Sequence, residues 1–367
     1  MKKQTISRSQ MQVLIFTFPI GIYILFGIGS NLKQDAWIGS LAAMIITIPV
    51  VYLYGLLLNL YPGKNIFEMI EEIFGTKVGK VITTILVLHC LFVSSSILHN
   101  LSDFIELTAL WQTPRMIPIA LVVILSIYIL RKGIEVVFNW IRLNLVIILV
   151  VFVGLTLIML NDMDINNLRP VFNHSIADIF KSSIVISMLG FTEIFVFLGF
   201  SDCVENKNLK TLFIKPIFYA CIVCTVIMIG NILLVGGEAY STFYYPGYEA
   251  IRRVYALGEY QRLEAIVSIS FTIFRYIELS VYLFASAKGI QSLFNLRDYR
   301  PILAPVGFIV LNGSYAIYGS MYNAVEFIRV QWTAYGIIMQ VIFPLFIFIA
   351  ALIKRGIGKT VEDKAES

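Results

Sequence analysis

The sequence predicts an all-α integral membrane protein with ten transmembrane helices, arranged as two inverted repeats of five. Hydrophobic residues make up 58% of the 367-residue chain and charged residues only 14%, whereas soluble chains carry about 25% charged residues. Ten apolar segments have close to the roughly 20 residues that a helix needs to cross a bilayer. The first and sixth of them, which are counterparts in two sets of five, are both interrupted by glycine.

The ten segments follow one another with few long connections, so we expect a single transmembrane domain over residues 1–367. The candidate spans are 11–30, 37–60, 81–102, 116–130, 141–160, 181–201, 214–236, 264–287, 302–319 and 333–353. Repeat one covers about 11–160 and repeat two about 181–353. Because five crossings are an odd number, the second repeat enters from the opposite side, which makes the repeats inverted.

Lysine and arginine are distributed unevenly between the two sides of this arrangement. With the N-terminus in the cytoplasm, 18 of the 28 fall on the inner side, 8 fall outside, and Arg142 and Arg275 lie within spans. Cytoplasmic loops of membrane proteins carry such an excess, so both termini are expected inside. The positive charge then serves topology and contact with anionic lipid, and we expect no nucleic-acid partner.

Motifs for metal binding or catalysis are not found. Cys90, Cys221 and Cys224 lie inside spans, where cysteine usually acts as a small buried hydrophobe. No second CxxC or histidine pair completes a zinc set. The chain has no Walker loop, no GxSxG and no HExxH. We therefore expect no metal, no cofactor and no enzymatic activity.

Two connections are long enough to hold structure of their own. Residues 61–80 place Ile66, Met69, Ile70 and Ile73 at helical spacing, which predicts a short amphipathic helix at the inner interface. Residues 237–263 are rich in tyrosine and charge, and predict an outer loop with a helix near 246–257. That loop either caps an outer vestibule or forms a solvated aromatic belt.

The interrupted spans predict a binding site near the middle of the membrane. A broken helix frees main-chain N–H and C=O groups, which is tolerated only where protein or a wet cavity satisfies them. The amide ends of half-helices suit a carboxylate and the carbonyl ends suit an ammonium, so two breaks suit an amino acid zwitterion. Gly21 and Gly190 would let a ligand approach the backbone. The alternative is that these glycines only aid close helix packing.

Glu193 is the ionisable residue most in need of an explanation. A charge at the bilayer centre costs about 2.5–3.5 kcal/mol on insertion scales and so needs a partner or a function. Glu193 could bind a substrate amine, carry a proton or pair with Arg275. Arg275 and Glu278 are three residues apart and could instead pair with each other. Arg142 lies close enough to the inner end of its span to reach the interface.

Span three combines two histidines with a run of small hydroxyl residues. His89 and His99 are about 15 Å apart along a helix and cannot share a metal ion, although His89 could relay a proton. Ser94, Ser95 and Ser96 favour close helix packing. Ser95 is also a candidate ligand contact.

Several short motifs resemble those of a known family. The run Asp164-Ile165-Asn166-Asn167-Leu168-Arg169-Pro170 resembles a signature between spans five and six of spore germination proteins, the B subunits of nutrient germinant receptors. Further matches occur along nearly the whole chain, in order: Asp35-Ala36-Trp37 before span two, Gly190 with Glu193 in span six, Arg262-Leu263-Glu264 before span eight and Lys354-Arg355 after span ten.

The resemblance implies a LeuT-type fold of the amino acid–polyamine–organocation superfamily. It also implies an integral protein of the spore inner membrane that senses a small nutrient together with A and C subunits. Span one departs from the family pattern, because Ile22 and Tyr23 stand where many relatives carry smaller residues and would narrow the pocket.

These arguments lead to three functional hypotheses. The first is a receptor subunit that binds a small nutrient, an amino acid in the simplest case. The second is a permease that couples substrate to protons through Glu193 or a histidine, and the third is a scaffold or a water or ion conductor without a nutrient site. The expected ligand contacts are Pro19, Gly21, Ile22, Tyr23, Ser95, Gly190, Thr192, Glu193 and Phe274; the candidate charge pair or proton relay comprises Glu193, Arg275, Glu278 and His89.

Overall fold

The computed structural model describes residues 6–110, 112–204, 209–255 and 263–365. These residues are almost entirely helical, and their only β-type pairing is one isolated bridge between Ile6 and Val204. Seven helical stretches in this part of the chain are long and apolar enough to cross a membrane. They are Ser30–Leu60, Ile66–Thr108, Ile134–Asp162, Ile176–Cys203, Leu209–Val235, Glu264–Leu293 and Met321–Gly356. The protein is therefore a helical membrane protein.

The described residues form fifteen α-helices, several of them joined by short 3₁₀- or π-helical segments. Their bounds are α1 Arg8–Thr17, α2 Ile20–Leu25, α3 Ala36–Leu60, α4 Ile66–Thr108, α5 Met116–Lys132, α6 Ile134–Met159, α7 Ile176–Ile186, α8 Ile214–Val235, α9 Gly237–Thr242, α10 Pro246–Tyr255, α11 Leu263–Leu293, α12 Leu303–Ala316, α13 Met321–Glu326, α14 Trp332–Gly336 and α15 Phe343–Ala365.

Three of the predicted spans fall outside the seven long apolar stretches and correspond to shorter helices. The first span is divided into α1, with 10 residues, and α2, with 6. The fourth corresponds to α5, with 17 residues, and the ninth to α12, with 14. All ten predicted segments are thus helical, but length and composition identify only seven of them as membrane-spanning.

The first span is interrupted at Pro19, two residues before Gly21, which lies inside α2 and is not the cause of the break. Thr17 ends α1 and Ile20 begins α2. Phe18 and Pro19 keep right-handed helical dihedral angles, so the interruption is a change in hydrogen bonding rather than an unwound loop. Proline causes it, because it has no N–H to donate to the preceding turn. The chain leaves the helix at Phe26, which is extended, and Gly29 then adopts a φ of 71°.

The sixth span is interrupted more deeply. Helix α7 continues into a π-helical turn over Ser187–Phe191, and a 3₁₀ helix over Glu193–Cys203 follows. The π turn is closed by the N–H of Thr192, which donates to the carbonyl oxygen of Ser187 at 3.0 Å. Gly190 lies inside this turn, so the sequence locates the interruption correctly.

The predicted helix in residues 61–80 is present. Helix α4 begins at Ile66 with a capping box between Asn65 and Glu68. Its first segment ends at Gly75, whose φ of 75° separates it from the long segment that follows. Met69 and Ile70 are fully buried, so the apolar face of the short segment packs against the protein.

The loop after α8 contains the predicted helix, α10, preceded by the short α9; residues 256–262 lie outside the described part of the chain. Tyr240 and Tyr245 are buried. Tyr240 donates its hydroxyl proton to the carbonyl of Ile28 at 3.1 Å. These contacts favour a loop that packs onto the end of the first span over a solvated aromatic belt.

The motif between spans five and six attaches its loop to two helices. The side chain of Asn167 donates to the carbonyl of Leu233 at the end of α8. The carboxylate of Asp35, fully buried just before α3, accepts the main-chain N–H groups of residues 172, 173 and 174 at 2.7–3.2 Å. The two motifs that resemble the family, Asp164–Pro170 and the one that begins at Asp35, therefore hold the same loop in place.

Helix α6 lies at the periphery of the molecule. Leu143, Val146 and Val150 follow one another at helical spacing and are each at least 59% exposed, as expected for a face against lipid. Arg142 is exposed on the same helix. In contrast, α11 is largely buried and packs against α2, α4 and the 3₁₀ half of the sixth span. The interrupted spans therefore meet a central helix.

Candidate functional site

A small cavity lies between the two interrupted spans. Its volume is about 30 Å³, which is enough to hold ordered water. We call it the core cavity, and define it by its lining: Ile22, Val93, Ser96, Ile97, Asn100, Leu189, Glu193, Arg275, Tyr318, Ile328 and Trp332. Its walls are mostly apolar, with two oppositely charged residues among them.

The charged groups of the core cavity are not equally satisfied. The guanidinium of Arg275 forms an ion pair with Glu278, one turn further along α11, and both side chains are at most 4% exposed. The Nε atom of Arg275 is buried and has no hydrogen-bond partner among the described residues. No residue in that part of the chain pairs with or hydrogen-bonds to the carboxylate of Glu193. The three-residue spacing of Arg275 and Glu278 therefore predicts the ion pair that forms. The carboxylate of Glu193 is left without a protein partner among the described residues.

Aromatic rings surround Arg275 on its other sides. Its guanidinium carbon lies 5.7 Å from the ring centre of Phe26 and 5.5 Å from that of Phe271, within the range of a cation–π interaction. These rings hold the positive charge near the end of α2.

Side chains occupy the space beside both glycines of the interrupted spans. A Cβ atom on Gly21 would lie 2.6 Å from the Cβ of Phe274 and 2.9 Å from a carboxylate oxygen of Glu278. A Cβ atom on Gly190 would lie 2.7 Å from the ring of Tyr23. Both glycines therefore permit close helix packing in this conformation, and they bring Glu278 and Tyr23 to the two breaks.

Side chains also cap the main-chain carbonyls at the break in the sixth span. The hydroxyl of Tyr23 donates to Ile186, that of Tyr282 to Glu193, and the indole N–H of Trp332 to Met188, over 3.3–3.4 Å. The hydroxyl of Thr192 donates to Ser187 at 3.1 Å, and that of Tyr54 lies 3.2 Å from the carbonyl of Thr192. The polar atoms that a ligand could meet here are consequently side-chain atoms.

A larger cavity of about 370 Å³ lies beyond the core cavity, at the end of α2. We call it the vestibule. It is lined by Phe26, Gly27, Ile28, Gly29, Ser30, Asn31, Val185, Leu189, Ser241, Phe243, Tyr244, Val325, Ile328 and Arg329. The predicted outer loop contributes Ser241, Phe243 and Tyr244, as expected for a segment that caps a vestibule. Burial, together with the nearby carboxylate of Asp103, raises the pKa of Tyr244, so its phenol is neutral.

The predicted site residues fall into two groups. Ile22, Glu193 and Arg275 line the core cavity, whereas the others do not. Thr192 hydrogen-bonds to Gln340. Pro19 precedes α2 without a side-chain hydrogen bond. Those that pack around the core cavity are Gly21, Tyr23, Gly190 and Phe274.

Span three presents the serine next to the expected one. Ser96 lines the core cavity and hydrogen-bonds to the hydroxyl of Tyr318 at 3.1 Å, whereas Ser95 packs against Gly313 of α12. Asn100, one turn beyond Ser96, also lines the core cavity. The one-turn spacing of Ser96 and Asn100 places both on the same face of the helix, and this was the sequence pattern that could have identified them.

The histidines of span three lie apart from the core cavity. His89 Nδ1 is 2.6 Å from the hydroxyl of Tyr335. His99 contacts the carbonyl of Ser314 through Nδ1 and lies 3.3 Å from a carboxylate oxygen of Asp103 through Nε2. Among the described residues, no group of three or more histidine, cysteine, aspartate or glutamate residues is arranged to hold a metal ion.

Two solved structures share this arrangement of helices. The chain superposes on MhsT in complex with L-phenylalanine with a TM-score of 0.64 and 13% identity, over 96% of this chain and 99% of that one. It superposes on Mhp1, a nucleobase-cation-symport-1 family transporter in a closed conformation with bromovinylhydantoin bound, with a TM-score of 0.63 and 12% identity, over 91% and 76% of the two chains. These structures place the fold among the LeuT-type transporters.

Sequence relatives match this chain along most of their length and share the description spore germination protein. Spore germination protein KB of Bacillus subtilis (strain 168) is 26% identical over 360 residues, which are 97% of this chain and 96% of the relative. From the same organism, the putative spore germination protein YfkT and spore germination protein A2 are each 22% identical, over 86% and 88% of this chain and 87% and 88% of their own. The family model described as spore germination protein matches residues 5–317. The chain therefore belongs to the spore germination protein family.

Proposed function

We propose that this chain is the membrane subunit of a spore nutrient germinant receptor, and that it binds a small amino acid in the core cavity. The proposal includes ten spans in two inverted repeats of five and a location in the spore inner membrane, with both termini on the core side. The observation that carries it is that the carboxylate of Glu193, which has no partner among the described residues, and the Nε–H of Arg275, which has no hydrogen-bond acceptor there, line one apolar cavity between two interrupted helices.

An α-amino acid fits these two groups because it carries one charge of each sign. Its ammonium would donate to the carboxylate of Glu193, and its carboxylate would accept from the Nε–H of Arg275. Charge-assisted hydrogen bonds of this kind are about twice as strong as neutral ones. Arg275 keeps its ion pair with Glu278 throughout, so one arginine would serve the fold and the ligand at once.

The apolar lining favours an aliphatic side chain. Val93, Ile97 and Leu189 line the same cavity, and burying aliphatic surface contributes about 25 cal/mol per Å². A cavity of about 30 Å³ is smaller than an amino acid. Binding therefore requires a wider state, and a ligand that binds only the wider state shifts the population toward it. That shift would be the signal passed to the partner A and C subunits.

Equilibrium binding to the purified protein tests the assignment. Tritiated leucine, valine and alanine are added to the protein in lipid nanodiscs, and bound ligand is measured by scintillation proximity. The amino acid that binds best should lose at least tenfold in affinity, about 1.4 kcal/mol, in Glu193→Gln. Glu326→Gln is the matched control, because Glu326 is exposed at the end of α13.

A ligand without the amine separates a direct contact from a structural one. The carboxylic acid that lacks the α-amino group should bind wild type and Glu193→Gln equally well, because it has no ammonium for Glu193 to hold. Spores that carry Glu193→Gln at normal protein level should respond only at raised amino acid concentrations. Unchanged amino acid affinity in Glu193→Gln would exclude the assignment of Glu193.

Proton-coupled amino acid transport is the second candidate. Its support is the similarity of the fold to a symporter together with the unpaired carboxylate of Glu193, which could carry a proton. Radiolabelled uptake into proteoliposomes with an imposed pH gradient distinguishes the two candidates. Concentrative uptake that collapses with the gradient would establish a permease, whereas saturable binding without uptake would establish a receptor.

A further inference from the structure

The vestibule and the core cavity share two lining residues. Of the residues around each cavity, only Leu189 and Ile328 contact both. Leu189 comes from the sixth span and Ile328 from the last, so two different helices contribute to the passage between the two cavities. Both side chains are apolar, and Leu189 is only 6% exposed. The boundary between the larger cavity and the smaller one therefore includes two aliphatic side chains, beside the ring of Phe26, which lines the vestibule and lies against Arg275 of the core cavity.

Each of these residues lies within a π-helical turn. Leu189 belongs to the turn Ser187–Phe191, and Ile328 to the turn Phe327–Gln331. The two turns close in the same way: the N–H of Thr192 donates to Ser187, and that of Trp332 donates to Phe327. Single π turns are rare and frequently occur at functional sites.

A π turn contains one more residue than the α turn it replaces. When such a turn returns to the α form, the residues on one side shift in register by one position, which rotates their side chains by about 100° around the helix axis. A rotation of this size would carry Leu189 or Ile328 out of the passage without unfolding either helix.

The two turns are joined to each other. The indole N–H of Trp332 donates to the carbonyl of Met188, which lies inside the first turn, at 3.3 Å. A Cβ atom on Gly336, one turn beyond Trp332, would lie 3.0 Å from the Cβ of Met188. The segments that bear Leu189 and Ile328 are therefore in contact, and a register change in one affects the other.

We propose that Leu189 and Ile328 form a gate that controls which molecules pass from the vestibule into the core cavity, and that the gate opens by a register change in the two π turns. The gate admits small aliphatic molecules and excludes bulky ones. It controls access to the binding site of the proposed function, but it exists whether or not the ligand is an amino acid.

Thiol labelling of the two cavities tests the gate without any nutrient. Ser96→Cys places a thiol in the core cavity and Ser30→Cys places one in the vestibule. Each variant is treated in nanodiscs with 2-aminoethyl methanethiosulfonate, and the added mass is followed against the parent protein, whose four cysteines are buried. Ser30→Cys should react at least tenfold faster than Ser96→Cys.

Removing either gate side chain should abolish most of this difference. Leu189→Ala and Ile328→Ala should each accelerate labelling at position 96 at least tenfold and change labelling at position 30 less than twofold. Val325→Ala is the matched control, because Val325 lines only the vestibule, one turn before Ile328. The four buried cysteines should stay unlabelled in each variant, which shows that it is folded.

Enlarging the gate gives the opposite test. Leu189→Phe should slow labelling at position 96 below the rate measured for Ser96→Cys alone, while position 30 reacts at its usual rate. The proposal is overturned if position 96 reacts at the same rate in all gate variants, or if Val325→Ala accelerates it as much as Ile328→Ala does. Because no amino acid is present, these outcomes are independent of the binding experiment.

Discussion

The breaks in the first and sixth spans differ in how their main chain is satisfied. At the sixth, side chains from α2, α3, α11 and α14 donate toward the carbonyls on both sides of the π turn. At the first, no side chain among the described residues caps α2 at Pro19. Instead, the carboxylate of Glu278 lies against Gly21.

This difference shows that an interrupted helix need not offer its backbone to a ligand. Four carbonyls of the sixth span accept side-chain hydrogen bonds and the hydroxyl of Tyr54 contacts a fifth, so recognition in the proposed site would depend on charged side chains placed beside the breaks. The first break brings a helix against Glu278 and its partner Arg275, and the second begins the 3₁₀ helix with Glu193. The break in the sixth span is therefore held by hydrogen bonds, and the break in the first span by steric fit.

The largest expected effect comes from filling the space at the first break. Gly21→Ala would place its new methyl against the Cβ of Phe274, which moves only with α11, and overpacking of this kind destabilises by about 1–3 kcal/mol. Gly190→Ala meets the edge of the Tyr23 ring, which can tilt, so its effect should be smaller. Thermal unfolding in detergent should rank their midpoints accordingly.

Gly154→Ala provides the control for both glycine variants. Gly154 lies within α6, and no neighbouring atom comes within 4 Å of the position that the added methyl would take, so the substitution should be neutral or slightly stabilising. Equal destabilisation by Gly21→Ala and Gly190→Ala would show that the two breaks tolerate added volume alike.

An intermediate effect is expected from removing one donor at the second break. Tyr54→Phe deletes the hydroxyl that contacts the carbonyls of Thr192 and Gln340, and should lower the free energy of unfolding by about 1–1.5 kcal/mol. Tyr52→Phe on the same helix is the control, because Tyr52 is 41% exposed. The same thermal midpoint for both variants would argue against the hydrogen-bonded account of this break.

The smallest effect is expected from Tyr23→Phe. The bond from Tyr23 to the carbonyl of Ile186 is long, at 3.4 Å, and the ring that stacks on Phe191 remains. The loss should be about 0.5 kcal/mol, at the lower end for a hydrogen bond, measured against Tyr219→Phe, whose side chain is 59% exposed. A loss as large as that of Tyr54→Phe would mean that the two donors hold the break equally.

The sequence predicts the elements of this molecule better than their contacts. Pro19 and Gly190 mark the breaks because each acts on its own backbone, and Arg275 and Glu278 pair because helical spacing brings them together. Local rules do not decide whether Ser95 or Ser96 faces the core cavity, since neighbouring residues on a helix point about 100° apart. The π turns are equally inaccessible, because their register depends on Tyr54, Trp332 and other distant partners.

The hydrogen bonds that Asp35 accepts from the main chain have a mechanical consequence for the sixth span. Residues 172–174, which it holds, come immediately before α7. The first half of this span therefore starts next to residues that Asp35 holds and ends at the π turn. Movement of α7 along its axis would therefore have to displace Asp35 and the start of α3 with it.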